Sequence, residues 1–317
     1  MIASNGRGSK VCIGGCETEV QLEKQPVFNV DGGWAWCDPV RGCHPGRSQL
    51  ESGMGNFSEK PLEKSSAHKP HGRRPSPTIV FSDEHLLVVD KPTDVLSVPG
   101  RGKAAPLVEL LRKEKLIGAD DEVRVVHRLD RGATGIIVFA RTLEAQRRLT
   151  KLWSSREVEK VYLALVQGIV NGEGEIDLPL RIDRDRLLVE PNPRKGKPAL
   201  TRYRAVEHVA GHTLLECRPV TGRLHQIRAH LKSIGHPLAV DARYGGAERL
   251  MLSDYKSGYQ PSSRHEERPL IDRLTLHAAR VTFVHPFTEE PTTFESPLPK
   301  DFRATLNQLR RLTDRGT

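Results

Sequence analysis

The amino-acid pattern predicts an α+β fold, with a mixed, mostly antiparallel sheet flanked by helices. Three observations carry that expectation. Short runs of apolar and β-branched residues recur from residue 77 onward, separated by polar or glycine-containing turns. Most follow one another with no room for a crossover helix, so neighbouring strands must pair through tight turns. Only four segments carry helical spacing, and no internal repeat interrupts the sequence.

Taken in order, residues 1–74 hold 11 of the 27 glycines, 5 prolines and 7 serines, with no sustained period of 2 or 3.6. That composition predicts a low-complexity, disordered extension, followed by a single folded domain over 75–310. Cys12, Cys16, Cys37, Cys43 and His44 in the extension have the spacing C-x3-C-x20-C-x5-C. Structural zinc sites use tighter pairs at both ends, so unpaired thiols are expected. From "TIVFSDEHLLVVDKP" come two strands around a polar turn, and "APLVELLRKEKLIG" has the leucine spacing of an amphipathic helix ending at Gly118. Strands are expected at about 123–127 and 135–140, and a helix from an N-cap at Thr142 to about Ser155. "EKVYLALVQG" reads as a strand, 191–198 as a loop, and "ALTRYRAVEHVAGHTLLECRPV" as two strands about a Gly-containing turn. "TGRLHQIRAHLKSIGHP" predicts a helix capped by Thr221 and ended by Gly235 and Pro237, with Leu224, Ile227, Leu231 and Ile234 on one face. Residues 245–270 read as a long loop, "RLTLHAARVTFVHP" as a final strand and "DFRATLNQLRRL" as a terminal helix.

A formal charge of +9 and a pI near 9.4 favour a polyanionic partner, although an ordinary basic surface would score the same. No run approaches the roughly 20 apolar residues of a membrane span, and the start lacks a signal-peptide core, so a soluble, cytoplasmic monomer is expected. Beyond residue 43 the only cysteine is Cys217, in a strand pattern that predicts a core position.

Several chemistries lack their motifs. There is no G-x-x-x-x-G-K-[ST] or G-x-G-x-x-G for a nucleotide, no G-x-S-x-G for a serine hydrolase, and no His pair at i, i+4 followed by Glu for zinc. The kinase-like HRLD lacks an Asn four residues beyond Asp130, and DFG is absent. What remains is "VRVVHRLDRGATGIIVFAR", where His127, Arg128, Asp130 and Arg131 sit between two apolar runs. If 126–130 is extended, Arg128 and Asp130 point to one side and His127 and Leu129 to the other. A carboxylate kept charged in a dry pocket requires a fixed cation, and Arg128, Arg223 and Arg228 are the candidates. The residues alone leave two readings: an ion pair tying strand to helix, which local physics favours, and a carboxylate held ready for chemistry.

Six pieces in order, "HLLVVDKPTDVLSVPGRG", "VHRLDRGATG", "EKVYLALVQG", "GKPALTRYRAV", "PVTGRLHQIRAHLKSIGHPLAVDARYGG" and "RLTLHAARVTFVHP", resemble the RluA-type family of RNA pseudouridine synthases across roughly 77–290. The resemblance implies the pseudouridine synthase catalytic fold and an isomerase needing neither cofactor nor metal. Asp130 would be the catalytic aspartate and Arg228 its ion-pair partner. Tyr162 would stack on the uracil, Leu276 would line the uracil pocket, and Arg128 would fill the gap left by a flipped nucleotide. Arg223, His225 and Gln226 are expected to hold backbone or structure. The motifs look closest to the branch acting on both transfer RNA anticodon stem-loops and large-subunit ribosomal RNA. A catalytically silent RNA-binding or RNA-folding protein is the alternative. Two departures from the family pattern stand out: Ala133 replaces a hydroxyl residue, and Asp94 replaces a glycine in "KPTDV", whose turn must then suit a side chain.

Overall fold

In this computed structural model, residues 26–28, 34–36, 76–98, 106–186, 188–256, 258–260 and 266–313 are described. The chain divides into two units, Met1–His68 and Lys69–Thr317. In the first, β1 (Pro26–Phe28) pairs antiparallel with β2 (Trp34–Trp36). The cysteines of the extension and His44 lie outside the described residues, as does nearly all of the segment expected to be disordered.

The second unit is built on a sheet containing β3 (Thr78–Ser82), β4 (Leu86–Lys91), β5 (Arg124–Val125), β6 (Thr134–Ala140), β7 (Glu159–Gln167), β8 (Glu173–Asp177), β11 (Leu200–Val209), β12 (His212–Pro219), β13 (Leu276–Val284) and β14 (Pro291–Glu295). β9 (Leu180–Asp183) and β10 (Leu188–Pro191) form a separate hairpin. The main path runs β3-β4-β6-β13-β7-β12-β11-β8, with β14 on β13 and β5 on β6. Among the described strands every pairing is antiparallel except β13 with β6, which meet in parallel at His277↔Thr134 and Ala278↔Gly135. The sheet is therefore mixed and mostly antiparallel, as the local turns require.

Helices cover both faces. Leu86, Val88, Ile136 and Val138 pack with Ala145 and Leu149 of α2 (Leu143–Ser154). The alternate residues Leu87, Val89, Ile137 and Phe139 pack with Leu107 and Leu111 of α1 (Leu107–Lys113). Because β4 and β6 are covered on both sides, their sequences read as unbroken apolar runs rather than alternations. Ile227 and Leu231 of α3 (Gln226–Ser233) pack on Ala164, Leu215 and the buried Cys217, and α4 (Lys300–Thr313) covers Leu165 and Leu214 with Phe302 and Leu306. No helix among the described residues is long and apolar enough to cross a membrane.

Three expectations need correction. The strand at 123–127 shrinks to Arg124–Val125, because the next five residues leave the sheet to build the site. α3 begins at Gln226 and not after Thr221, whose hydroxyl accepts from Leu200 N–H and donates to the Gln226 carbonyl oxygen Oε1. Leu224 consequently precedes the helix and packs with Tyr244, apart from Ile227, Leu231 and Ile234. Strands β8 to β10 and β14 were not foreseen; β8 and β14 are exposed at alternate positions, so they bury too little apolar surface to stand out in sequence.

Candidate active site

The segment after β5 carries Asp130 without sheet pairing, so its backbone groups must be satisfied elsewhere. The turn after β4 does this with side chains. Ser97 Oγ donates to Leu129 C=O (2.9 Å) and accepts from Leu129 N–H (3.0 Å). Thr93 Oγ1 donates to Gly132 C=O at 3.1 Å. Lys91 is fully buried, and its Nζ donates to the carbonyls of Pro92, Val95 and Arg131 at 2.9, 2.9 and 3.0 Å. Asp130 is thus held between clamped neighbours, and "KPTDVLS" is the sequence that clamps them. Asp94 in this turn keeps a left-handed backbone, φ 59°, which aspartate tolerates better than most side chains.

At the other end of the loop, Gly135 has φ 107°, and a Cβ there would stand 2.2 Å from the Ala278 carbonyl oxygen. Only glycine allows β6 and β13 to meet in parallel at this point. Next to it, Thr134 Oγ1 bonds His277 Nδ1 at 2.9 Å, and His277 Nε2 reaches Ser296 C=O at 3.0 Å. The retained hydroxyl is therefore in use, whereas Ala133 presents a buried methyl group beside the site.

Across from the loop, α3 presents Arg228, which is buried. Its Nη1 donates to Asp130 Oδ2 at 3.0 Å, while Nε and Nη2 grip Asp241 at 2.7 and 2.9 Å. The guanidinium carbon lies 4.6 Å over the Tyr244 ring. Burial works against the Arg228 charge, but the Asp241 and Asp130 carboxylates outweigh it and raise its pKa, so it is a fixed cation. Of the three arginines considered from sequence, Arg228 alone pairs with Asp130. Arg223 donates to Pro198 C=O, and Arg128 is exposed with no ion pair among the described residues.

Asp130, Arg128, Tyr162, Arg228 and Leu276, the five candidates from sequence, all line one cleft of about 750 Å3. Tyr162 comes from β7, between Cys217 of β12 and Ala278 of β13, and packs against two core clusters. Burial, and then the nearby Asp130 charge, raise its phenol well above the ordinary value, so it stays neutral and offers an aromatic face. Among the described residues, five basic side chains line the cleft (Arg128, Arg156, Lys160, Arg223 and Arg228) against the one carboxylate of Asp130. Such a wall suits a polyanion that brings a planar group to be stacked.

Sequence reasoning missed Asp241 and Tyr244, although both sit in the quoted "LAVDARYGG". His225, expected to hold structure, bonds the Tyr244 hydroxyl through Nδ1 at 2.9 Å, and its Nε2 stands 3.9 Å from Asp130 Oδ1. Gln226, by contrast, holds backbone as expected, accepting from Arg223 N–H and donating to Leu200 C=O.

Residues 85–233 match the family described as RNA pseudouridylate synthase. Ribosomal large subunit pseudouridine synthase D of Nitrosomonas europaea is 39% identical over 239 residues, covering 74% of this chain and 65% of that protein. The protein of the same name from Xanthomonas campestris pv. campestris is 38% identical over 235 residues, covering 73% and 69%. The chain belongs to the RluA-type RNA pseudouridine synthase family. Enzymes of this family are isomerases, and the fold agrees: the human protein described as RNA Pseudouridylate Synthase Domain Containing 4 superposes with a TM-score of 0.57 at 25% identity, over 73% of this chain and 92% of that one. A second human member, RNA Pseudouridylate Synthase Domain Containing 1, gives 0.55 at 26% identity, over 73% and 86%.

Proposed function

We propose that this chain converts uridine to pseudouridine in RNA, with Asp130 as the catalytic residue. The observation that carries the reading is a carboxylate held on one oxygen by a buried arginine, in a cleft walled by a neutral tyrosine and basic side chains. The isomerisation breaks the C1′–N1 bond, turns the uracil and joins C5 to C1′; the proton lost from C5 is balanced by one gained at N1. Nothing is oxidised or reduced, so no cofactor is called for. Arg228 holds Oδ2, which leaves Oδ1 toward the sugar. That oxygen serves equally to attack C1′ or to take a proton from C2′, and both routes need the charge that Arg228 balances.

A stacked base cannot reach the cleft, so the target is flipped out, at a cost of a few kcal/mol of unstacking. Tyr162 then stacks on the uracil while leaving its edge free to turn. Leu276 closes the pocket wall, and the exposed Arg128, with no ion pair among the described residues, fills the space the nucleotide leaves. Large-subunit ribosomal RNA is the first substrate, in keeping with the names of the bacterial relatives, and transfer RNA anticodon stem-loops are the second. The proposal takes the chain to act as a monomer, in the cytoplasm where ribosomes work.

The test is pseudouridine mapping of total RNA from cells carrying the wild-type gene, Asp130→Asn or a deletion. One or more sites should be lost equally in the variant and the deletion. Three coincident maps would leave only a silent RNA-binding protein, a reading that the intact Asp130–Arg228 pair speaks against.

A further inference from the structure

His225 is the least comfortable residue of the site. It immediately precedes α3 with a left-handed backbone, φ 48° and ψ 25°, a conformation uncommon outside glycine but one that histidine adopts more often than most side chains. Tyr244 holds the imidazole in place: its hydroxyl lies 2.9 Å from His225 Nδ1 and its ring meets the imidazole edge-on. The same hydroxyl accepts from Val189 N–H at 2.9 Å. Tyr244 is buried, and these are its only two partners among the described residues, so its own proton has one acceptor, His225 Nδ1. Hydrogen-bond accounting thus assigns the neutral imidazole as the tautomer carrying hydrogen on Nε2. Burial favours that neutral form, as do the charges of Arg228 and Arg243, against the opposing pull of Asp130 and Asp241.

Nε2–H lines the cleft and faces Asp130 Oδ1, the oxygen that Arg228 leaves free, at 3.9 Å. That gap is too long for a direct hydrogen bond, yet an oxygen about 2.8 Å from both atoms would fit, seeing them at an angle of about 90°. The atom that fits must accept from one neighbour and donate to the other, which is what a hydroxyl does. On the reading that Asp130 acts at the sugar of a flipped uridine, the hydroxyl on the carbon next to C1′ is the 2′-OH, the group by which a protein tells RNA from DNA.

We propose that His225 and Asp130 Oδ1 together form a ribose-specific site, in which His225 donates from Nε2 to the 2′-hydroxyl of the target nucleotide and that hydroxyl donates to the carboxylate. His225 is then a specificity-determining residue that touches substrate, and Tyr244 is the residue that positions it. The inference rests on the proposed function, and its test separates the two.

Stem-loops spanning a mapped site are prepared with uridine or 2′-deoxyuridine at the modified position. Affinity is measured for wild type, His225→Ala and His225→Gln, with folding checked by melting. Wild type should prefer the ribose form by about tenfold or more, His225→Ala should lose most of that preference, and His225→Gln, which keeps a side-chain N–H, should recover part. A folded His225→Ala that retains the full preference overturns the proposal. Should that variant not fold, 15N-histidine spectra of the wild-type protein decide. They should show Nε2 protonated and Nδ1 not, with a resonance that moves for the ribose stem-loop and not for the deoxy one; equal responses overturn the proposal. If wild type makes no pseudouridine in the ribose stem-loop, the parent reading fails and takes this one with it.

Discussion

At the scale of single residues, the site depends on which charges have partners. Arg228 serves two carboxylates, so Arg228→Ala should lower turnover by about a hundredfold or more, the order expected when a fixed electrostatic partner is removed. RNA affinity should change far less, and turnover close to wild type in single-turnover assays would refute the assigned role. The same change leaves buried Asp241 unpaired, at a cost of about 3–5 kcal/mol, so pairing it with Asp241→Asn should restore much of the lost stability. His127 shows the opposite logic. Its Nε2 accepts from Val138 N–H at 2.9 Å and its ring stacks on Trp153, so it must stay neutral in the folded state. Burial, with the nearby Lys160 charge, pushes its pKa down to about 3, against roughly 6.5 for an unfolded histidine. Between those values the unfolded chain binds a proton that the folded chain does not, so stability falls as pH drops from about 6.5 to 3. His127→Gln keeps an acceptor but cannot titrate, and its acid unfolding curve should be flatter in that window; an identical curve would remove His127 from the account.

Among the elements, the informative junction is where β6 and β13 meet. Their parallel contact spans two residue pairs, and it exists because Gly135 lets the two backbones close. Gly135→Ala must relieve both the approach to the Ala278 carbonyl and a φ of 107°, so a loss of more than about 1–3 kcal/mol is expected in denaturant unfolding. Activity should fall with it, since Asp130 lies five residues away on the loop that this junction ends. Helix α2 behaved as its sequence suggested, because Thr142 caps it by accepting from Ala145 N–H. Helix α3 did not. Thr221 is a plausible cap by type, but its hydroxyl is taken by Leu200 and Gln226, contacts more than twenty residues away in one case, and the chain between Thr221 and Gln226 is used to aim His225.

For the molecule as a whole, charge and shape act together. The formal charge of +9 is unspecific, but four basic side chains besides Arg228 converge on the cleft. If all four meet phosphates, the logarithm of RNA affinity should fall against the logarithm of salt concentration with a slope of about −3, and Arg156→Gln should reduce it by about 0.7. A slope unchanged by that variant would place Arg156 off the RNA path.

The sequence by itself determined the fold class, most strands and the existence of all four helices, because each rests on local periodicity and turn residues, though not where α3 begins. It also pointed to Asp130 as an unusual carboxylate, and family resemblance attached Arg228, Tyr162, Leu276 and Arg128 to it. The weakly apolar strands β8 to β10 and β14 were illegible, since they leave too many positions exposed to write an apolar pattern, even though β9 with β10 and β13 with β14 pair locally. That Asp241 holds Arg228, and that Tyr244 turns His225 toward the free oxygen, were decided only by tertiary structure, which also brings Arg228 to Asp130 as the resemblance implied. Those contacts join residues up to 98 positions apart, and hydrogen-bond direction across such distances depends on where the backbone travels, which no local pattern encodes.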